Sequence, residues 1–213
     1  MKLKLFIISL FTFISLAAFS QQFNGGIMAG VVASQVAGDT YQGFDKAGIF
    51  AGGFVNYQFT RRSVVQMELE YFQKGSRHNP DTKANDYREY LFRTNYIELP
   101  LLYQFVISKH FKVEAGPSAG FLVGYNEKLD GEDLTDQTDY NKPAAVSFQI
   151  NFGLYVNIIE GLSVNVRTNN SVVNIRTHNV TGDVYRFWTG NYGQFNDCLV
   201  LSLWYQFKNK GSK

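Results

Sequence analysis

The sequence predicts an all-β fold, an eight-stranded antiparallel up-and-down transmembrane β-barrel. Three observations carry that expectation. Eight segments alternate apolar and polar residues with period two, the signature of strands. The connections between them alternate between three-residue turns and long loops, the habit of barrels that cross an outer membrane. Past the N-terminal segment no apolar run approaches the about 20 residues of a membrane helix, and a sheet in lipid must close on itself because lipid satisfies no free edge.

The N-terminal segment reads as a signal peptide. Lys2 and Lys4 precede an apolar run from Leu5 to Phe19, and Ala18-Phe19-Ser20 puts small residues where a signal peptidase reads. We expect cleavage after Ser20, so that the mature chain begins at Gln21. A membrane helix is the alternative, but the run is too short to span. With no Cys near the cleavage point, a lipidated N-terminus is not expected. The rest divides into a barrel domain, 21–207, and a short polar tail, 208–213.

Removal of Lys2 and Lys4 from the 20 basic residues leaves 18, against 18 acidic ones. A neutral chain offers no electrostatic basis for binding nucleic acid. Cys198 is the single cysteine, which excludes an internal disulfide.

The first strand is expected from about Phe23 to Ala33, the second from Gly48 to Phe59 and the third from Ser63 to Lys74. The fourth covers Phe92 to Val106, the fifth Phe111 to Asn126, the sixth Ala145 to Ile158, the seventh Leu162 to Asn174 and the eighth Cys198 to Phe207. In the third, Val65, Met67, Leu69 and Tyr71 share one face, and Gln66, Glu68, Glu70 and Lys74 the other. In the sixth, Val146, Phe148, Ile150, Phe152, Leu154, Val156 and Ile158 oppose Ser147, Gln149, Asn151, Tyr155 and Asn157. In the eighth, Leu199, Leu201, Leu203, Tyr205 and Phe207 oppose Ser202, Trp204 and Gln206.

Alternation alone does not say which face is outside, since a soluble lipocalin-like barrel turns its apolar face inward. Four features favour the membrane arrangement. The turns 60–62, 108–110 and 159–161 are short, whereas 34–47, 75–91, 127–144 and 175–197 are long. Phe23, Tyr57, Phe59, Tyr103, Phe105, Phe111, Tyr205 and Phe207 gather on the apolar face near the short turns, where a membrane interface wants them, and Tyr71 and Tyr125 suit an opposite girdle. The polar face holds Gly26, Gly30, Gly52, Gly116, Ser118, Gly120 and Gly124, small residues suited to a narrow lumen. The last strand ends on Tyr205 and Phe207, similar to the C-terminal signal read by the barrel-assembly machinery, although six polar residues follow. Both termini are then expected in the periplasm.

Pro100 and Pro117 fall inside strands four and five and remove two ladder donors. Pairing of Phe105 near Phe111 sets them almost opposite, which predicts a shared bulge or a locally opened ladder.

Specific segments resemble a known family. Met67-Glu68-Leu69-Glu70-Tyr71-Phe72-Gln73-Lys74-Gly75, Asn95-Tyr96-Ile97-Glu98-Leu99-Pro100-Leu101-Leu102-Tyr103 and Glu114-Ala115-Gly116-Pro117-Ser118-Ala119-Gly120 are similar to strands three to five of the PorT-like outer-membrane β-barrel family of Bacteroidota. The resemblance implies an outer-membrane, eight-stranded barrel. Its namesake is associated with type IX protein secretion. The seventh strand departs from the pattern, with Arg167-Thr168-Asn169-Asn170-Ser171 where an Arg-Tyr pair is common.

The interior charges are the main candidate site. Glu68, Glu70, Glu98, Glu114, Lys74, Lys112 and Arg167 fall on the polar face, and buried charges need partners. They form either a salt-bridge network that plugs the lumen or a narrow ion path. With four acids against three bases, one carboxylate is expected to be protonated or to hold a water.

In the third long loop Glu127, Asp130, Glu132, Asp133, Asp136 and Asp139 face only Lys128 and Lys142. The spacing is not that of an EF-hand, so a solvated acidic loop is expected in place of a calcium site. The fourth loop mixes Tyr185, Arg186, Phe187, Trp188 and Tyr192 with Phe195. These either contact an external partner or pack over the barrel mouth. His78, His110 and His178 lie in separate connections without metal-ligand spacing, and no nucleophile stands beside a base. Cys198 reads as a small inward filler. No catalysis, cofactor or metal is expected. The chain reads as a structural or partner-binding barrel, or alternatively as a narrow porin-like pore. Its expected surroundings are outer-membrane lipid, the assembly machinery during biogenesis, and a protein partner the sequence does not identify.

Overall fold

The computed structural model describes residues 23–41, 43–135, 142–177, 184–186 and 190–208. The expected signal peptide and the tail beyond Lys208 lie outside them. The chain forms β1 (Phe23–Ala37), β2 (Lys46–Gln58), β3 (Ser63–His78), β4 (Tyr90–Val106), β5 (Phe111–Leu129), β6 (Glu132–Asp133), β7 (Val146–Ile159), β8 (Leu162–Ser171), β9 (Val184–Arg186), β10 (Asn191–Gly193) and β11 (Phe195–Gln206). Eight of these close the barrel. Each of β1–β5, β7, β8 and β11 pairs antiparallel with both neighbours, and β11 returns to β1. The strand β6 folds back on β5, and β9 and β10 form a separate ribbon in the last long loop.

The alternation sorts the side chains as expected for a barrel in lipid. Met67, Leu69 and Leu203 stand outward and are more than half exposed, while Gln66, Glu68 and Glu70 beside them are buried. An apolar belt of this extent in water would forfeit about 25 cal/mol per Å² left exposed. Acyl chains remove that cost. At the short-turn end the belt finishes in an aromatic ring, with Phe23 beside Tyr57 (centroids 5.3 Å apart), Phe59 beside Tyr103 (6.4 Å) and Tyr205 beside Phe207 (5.9 Å).

The lumen is divided in character. The wall of β1, β2 and β11 presents Met28, Val32, Phe50, Phe54, Cys198, Val200 and Trp204, which pack with Phe72 and Tyr155 into one apolar cluster. Trp204 sits 5.0 Å from Phe54 and 5.2 Å from Tyr155. The charges line the facing wall of β3, β4, β5 and β8. Small inward residues let the strands approach: a Cβ on Gly52 would lie 2.3 Å from the Leu69 carbonyl oxygen.

Several expectations need correction. The strands run further than the apolar alternation, since β1 ends at Ala37 rather than Ala33 and β3 at His78 rather than Lys74. Beyond the belt the ladder continues between polar residues, out to His78 opposite Tyr90. The strand β8 stops at Ser171, short of Asn174, where the chain turns into the mouth. In β5 the register against β4 slips between Asn95 and Tyr96, leaving Val123 as the extra residue. Facing therefore reverses beyond it. Gly124 pairs with the outward Asn95, and Tyr125 turns inward against the cluster of Val36, Phe92 and Ile175 instead of joining a girdle.

The prolines produce an opened ladder without a bulge. Pro100 pairs with Ser118 and Tyr103 with Ala115 in one register, and the intervening Leu101 and Leu102 have no partners on β5. The β3–β4 ladder likewise skips from Met67–Leu101 to Glu70–Glu98 around Pro100.

Candidate functional site

Arg167 projects from β8 across the lumen. Its Nη1 and Nη2 donate to Glu68 Oε2 (2.7 Å) and Oε1 (2.9 Å) on β3, a fork-to-fork pair. Nη1 also reaches Glu70 Oε2 at 3.4 Å, and Nε donates to Glu114 Oε1 on β5 at 2.9 Å. One guanidinium thus ties three strands. Its plane lies 5.2 Å from the Trp204 ring, so that cation–π attraction joins the charged wall to the apolar one.

Neutral amides complete the coordination. Glu114 also accepts from Asn165 Nδ2 (2.9 Å) and Gln104 Nε2 (3.3 Å), and Glu68 from Gln66 Nε2 (2.5 Å). Gln66 Nε2 in turn contacts the Tyr155 hydroxyl at 3.2 Å. These amides satisfy carboxylate lone pairs that would otherwise make burial of the ions costly. They occupy the same inward positions as the charges, which is the only trace of them in the sequence.

A second pair stands above the first. Lys74 Nζ lies 2.5 Å from Glu98 Oε1 and 2.5 Å from Asn169 Oδ1, and all three side chains are buried. Asn169 Nδ2 donates to Glu98 Oε2 (3.1 Å) and to Asn151 Oδ1 (2.8 Å), and Lys74 sits 4.3 Å over the Phe72 ring. Glu70 and Glu98 are cross-strand neighbours, which places the two clusters in contact. Six of the seven expected charges therefore meet in one connected network. Lys112 stands apart, with Nζ 3.4 Å from Gln104 Oε1 and 4.5 Å over the Tyr155 ring.

The long-loop mouth holds a cap that the sequence did not reveal. Ile175 and Arg176 fold in over the lumen, and Ile175 is fully buried with Phe92 and Val36. Arg176 donates to Glu127 Oε2 (2.8 Å) and Oε1 (3.3 Å) and lies 4.3 Å over Phe92. The Tyr90 hydroxyl donates to Glu127 Oε1 at 2.7 Å. Burial pushes the nearby Asp39 carboxyl up to about 6, against the lowering pull of Ser76, the Tyr41 N–H and Arg176.

The other expected residues spread through the loops. Glu127 belongs to the cap. Asp130 accepts from the Glu89 N–H, and Asp133 from the Thr135 N–H, which with the Thr135 hydroxyl holds that carboxyl below its ordinary range. Glu132 is exposed, and Asp136 and Asp139 lie outside the described residues. Among the described residues no three His, Cys, Asp or Glu converge as metal ligands. The Tyr185 and Tyr192 rings lie with centroids 4.7 Å apart and planes tilted by 37°, both exposed. Arg186 points inward, forking onto Asp197 at 2.6 Å and lying 4.6 Å over Phe195. Phe187, Trp188 and His178 fall outside the described residues. His78 pairs with Asp86 at 2.7 Å and stacks on Tyr41. His110 is exposed in a short turn, and Cys198 is buried in the lumen wall.

The family model described as "Outer membrane protein beta-barrel domain" matches residues 19–176. Among solved structures, the chain is similar to Neisserial surface protein A, with a TM-score of 0.55 at 9% identity over 86% of this chain and 97% of that one. It is also similar to Ail, the attachment invasion locus protein of Yersinia pestis, with a TM-score of 0.45 at 12% identity over 87% and 99%. At 9% identity the likeness to Neisserial surface protein A is one of fold. No curated protein matches the sequence.

Proposed function

We propose, for a chain that belongs to the outer membrane protein beta-barrel domain family, that its barrel is a closed scaffold whose long loops engage a partner. One observation carries the reading: Arg167, held at once by Glu68, Glu70 and Glu114, bars the lumen with buried, ion-paired groups. A conducting lumen needs hydrated or weakly held charges. These are neither. No catalytic role is part of the proposal.

Strand parity supports an orientation for this reading. Strand parity brings both termini to the short-turn end, and short turns face the periplasm in barrels of this kind. The long loops then face outward, where the tilted Tyr185–Tyr192 pair offers exposed aromatic surface of the sort that anchors interfaces. The resemblance of β3–β5 to PorT-like proteins supports membership of that family within Bacteroidota and a partner in protein secretion of the type IX kind.

Planar-bilayer conductance of the refolded mature chain tests the closed lumen. Silence is expected, and steady small channels would replace this reading with a narrow pore. Removal of residues 177–194 tests the loop. It should abolish co-purification of a partner while the barrel keeps its heat-modifiable gel mobility, and unchanged co-purification would refute the loop's role.

A further inference from the structure

Beneath the Arg167 bar the lumen opens into a cavity of about 390 Å³ at the short-turn end. That volume is at the small end of ligand sites. Its walls are inward side chains of several strands: Gln66, Lys112, Tyr155, Asn157, Trp204 and Gln206. The floor is aromatic, with Tyr155 and Trp204 edge to face, and it ends at the Gln66–Glu68 contact of the network. The cavity is therefore blind and is reached only from the short turns.

Its electrostatics are one-sided. Lys112 has no carboxylate within ion-pairing distance among the described residues. Its neighbours are the Gln104 amide oxygen and the Tyr155 face. The nearest interior acid, Glu114, already receives Arg167, Asn165 and Gln104. The rim adds Lys109, and the acid that lines it, Glu160, is paired with Lys208 at 3.4 Å. A concave site lined by one sign of charge over low-dielectric walls concentrates the opposite ion.

We infer that this vestibule binds a small carboxylate carrying a planar or apolar group, with the anion at Lys112 and the group against Tyr155 and Trp204. The amides of Asn157 and Gln206 can donate to the remaining carboxylate oxygen, and the aromatic floor favours a ring over a bare inorganic ion. The ligand arrives from the short-turn side, either as a free acid or as the C-terminal end of a peptide. The site is independent of what the long loops engage.

Trp204 supplies the readout, because Trp188 is the only other tryptophan. Full mature chain carrying Trp188→Phe, refolded in detergent, is titrated with phenylacetate, with N-acetylphenylalanine and with the neutral phenylacetamide, and Trp204 fluorescence is followed. A saturable change with either acid, and roughly tenfold weaker binding of the amide, is expected for one charge-assisted contact. Tighter binding of phenylacetate identifies a free acid, and tighter binding of N-acetylphenylalanine a peptide end. Lys112→Gln should weaken the acids to the level of the amide, and Lys112→Arg should retain them. Equal binding of acid and amide, or no saturable change with either acid, overturns the inference. That comparison needs no variant at Lys112, so it decides even if Lys112→Gln fails to fold.

Discussion

Arg167 and Glu68 meet fork to fork across the lumen, Nη1 to Oε2 at 2.7 Å and Nη2 to Oε1 at 2.9 Å, with both side chains excluded from solvent. The pair joins β8 to β3, which are not neighbours in the sheet. Loss of one member leaves buried charge without a partner. Arg167→Met should therefore lower stability by about 3–5 kcal/mol, read as a shifted urea midpoint of the refolded barrel. Arg167→Lys should recover little, because an ammonium cannot fork onto Glu68 while reaching Glu114. Glu68→Gln added to Arg167→Met should restore part of the loss. Simple additivity of the two changes would show that they are not coupled.

Gly153 lies between the members of another contact. It pairs with Glu114 on one side and Arg167 on the other, and a Cβ there would stand 2.4 Å from Glu114 Oε1. Gly153→Ala should push Glu114 off the guanidinium and cost about 1–3 kcal/mol, the scale of overpacking. Gly53 faces lipid, and its Cβ would meet only the Gly26 carbonyl oxygen, at 3.5 Å. Gly53→Ala should then leave the midpoint nearly unchanged, and equal effects at the two glycines would contradict the packing account.

The barrel was legible because its signal is local and repeated. Val65, Met67 and Leu69 against Gln66, Glu68 and Glu70 show both faces of a strand within six residues. The inward charges could be named from that parity, but their partners could not, since Arg167 and Glu68 are 99 residues apart. The cap was invisible for the same reason. Arg176 and Glu127 sit 49 residues apart, the first past the end of β8 and the second on the part of β5 that runs beyond the expected strand, where no period could be read. Tyr125 was misplaced because one extra residue, Val123, reverses the face and leaves no mark in composition. Lys46, buried at the start of β2, was hidden in an expected loop.

The long-loop end should respond to mild acid. Asp39 titrates near 6 in the folded chain, above its ordinary 3.8, chiefly because burial disfavours the charged form. The folded state then holds this proton more tightly than the unfolded one. Its contribution is fully present below about pH 4 and is lost as pH rises through about 6. After a discount for partial solvent access the effect is on the order of 1 kcal/mol. Amide protection factors around Tyr41 and Ser76, corrected for the intrinsic slowing of exchange in acid, should rise on acidification across that window, and Asp39→Asn should flatten the response. An exchange profile in which the variant and the parent chain respond alike would assign the acid response to another group.

The lumen is closed twice, by Arg167 in the middle and by Ile175 and Arg176 at the long-loop mouth. Barriers in series add, so current is set by whichever remains. Arg176→Ala should release Glu127 and Phe92 and raise protease cleavage of the last loop, but leave the bilayer silent. Arg167→Ala opens the centre beneath an intact cap and should be silent too. The double variant should pass ions in steady small steps. If Arg167→Ala alone conducts, the cap is no barrier. If the double variant remains silent while migrating as a folded barrel, closure must come from the wall cluster of Phe50, Phe72 and Trp204, where Phe50 stands 5.4 Å from Phe72 and 6.4 Å from Trp204.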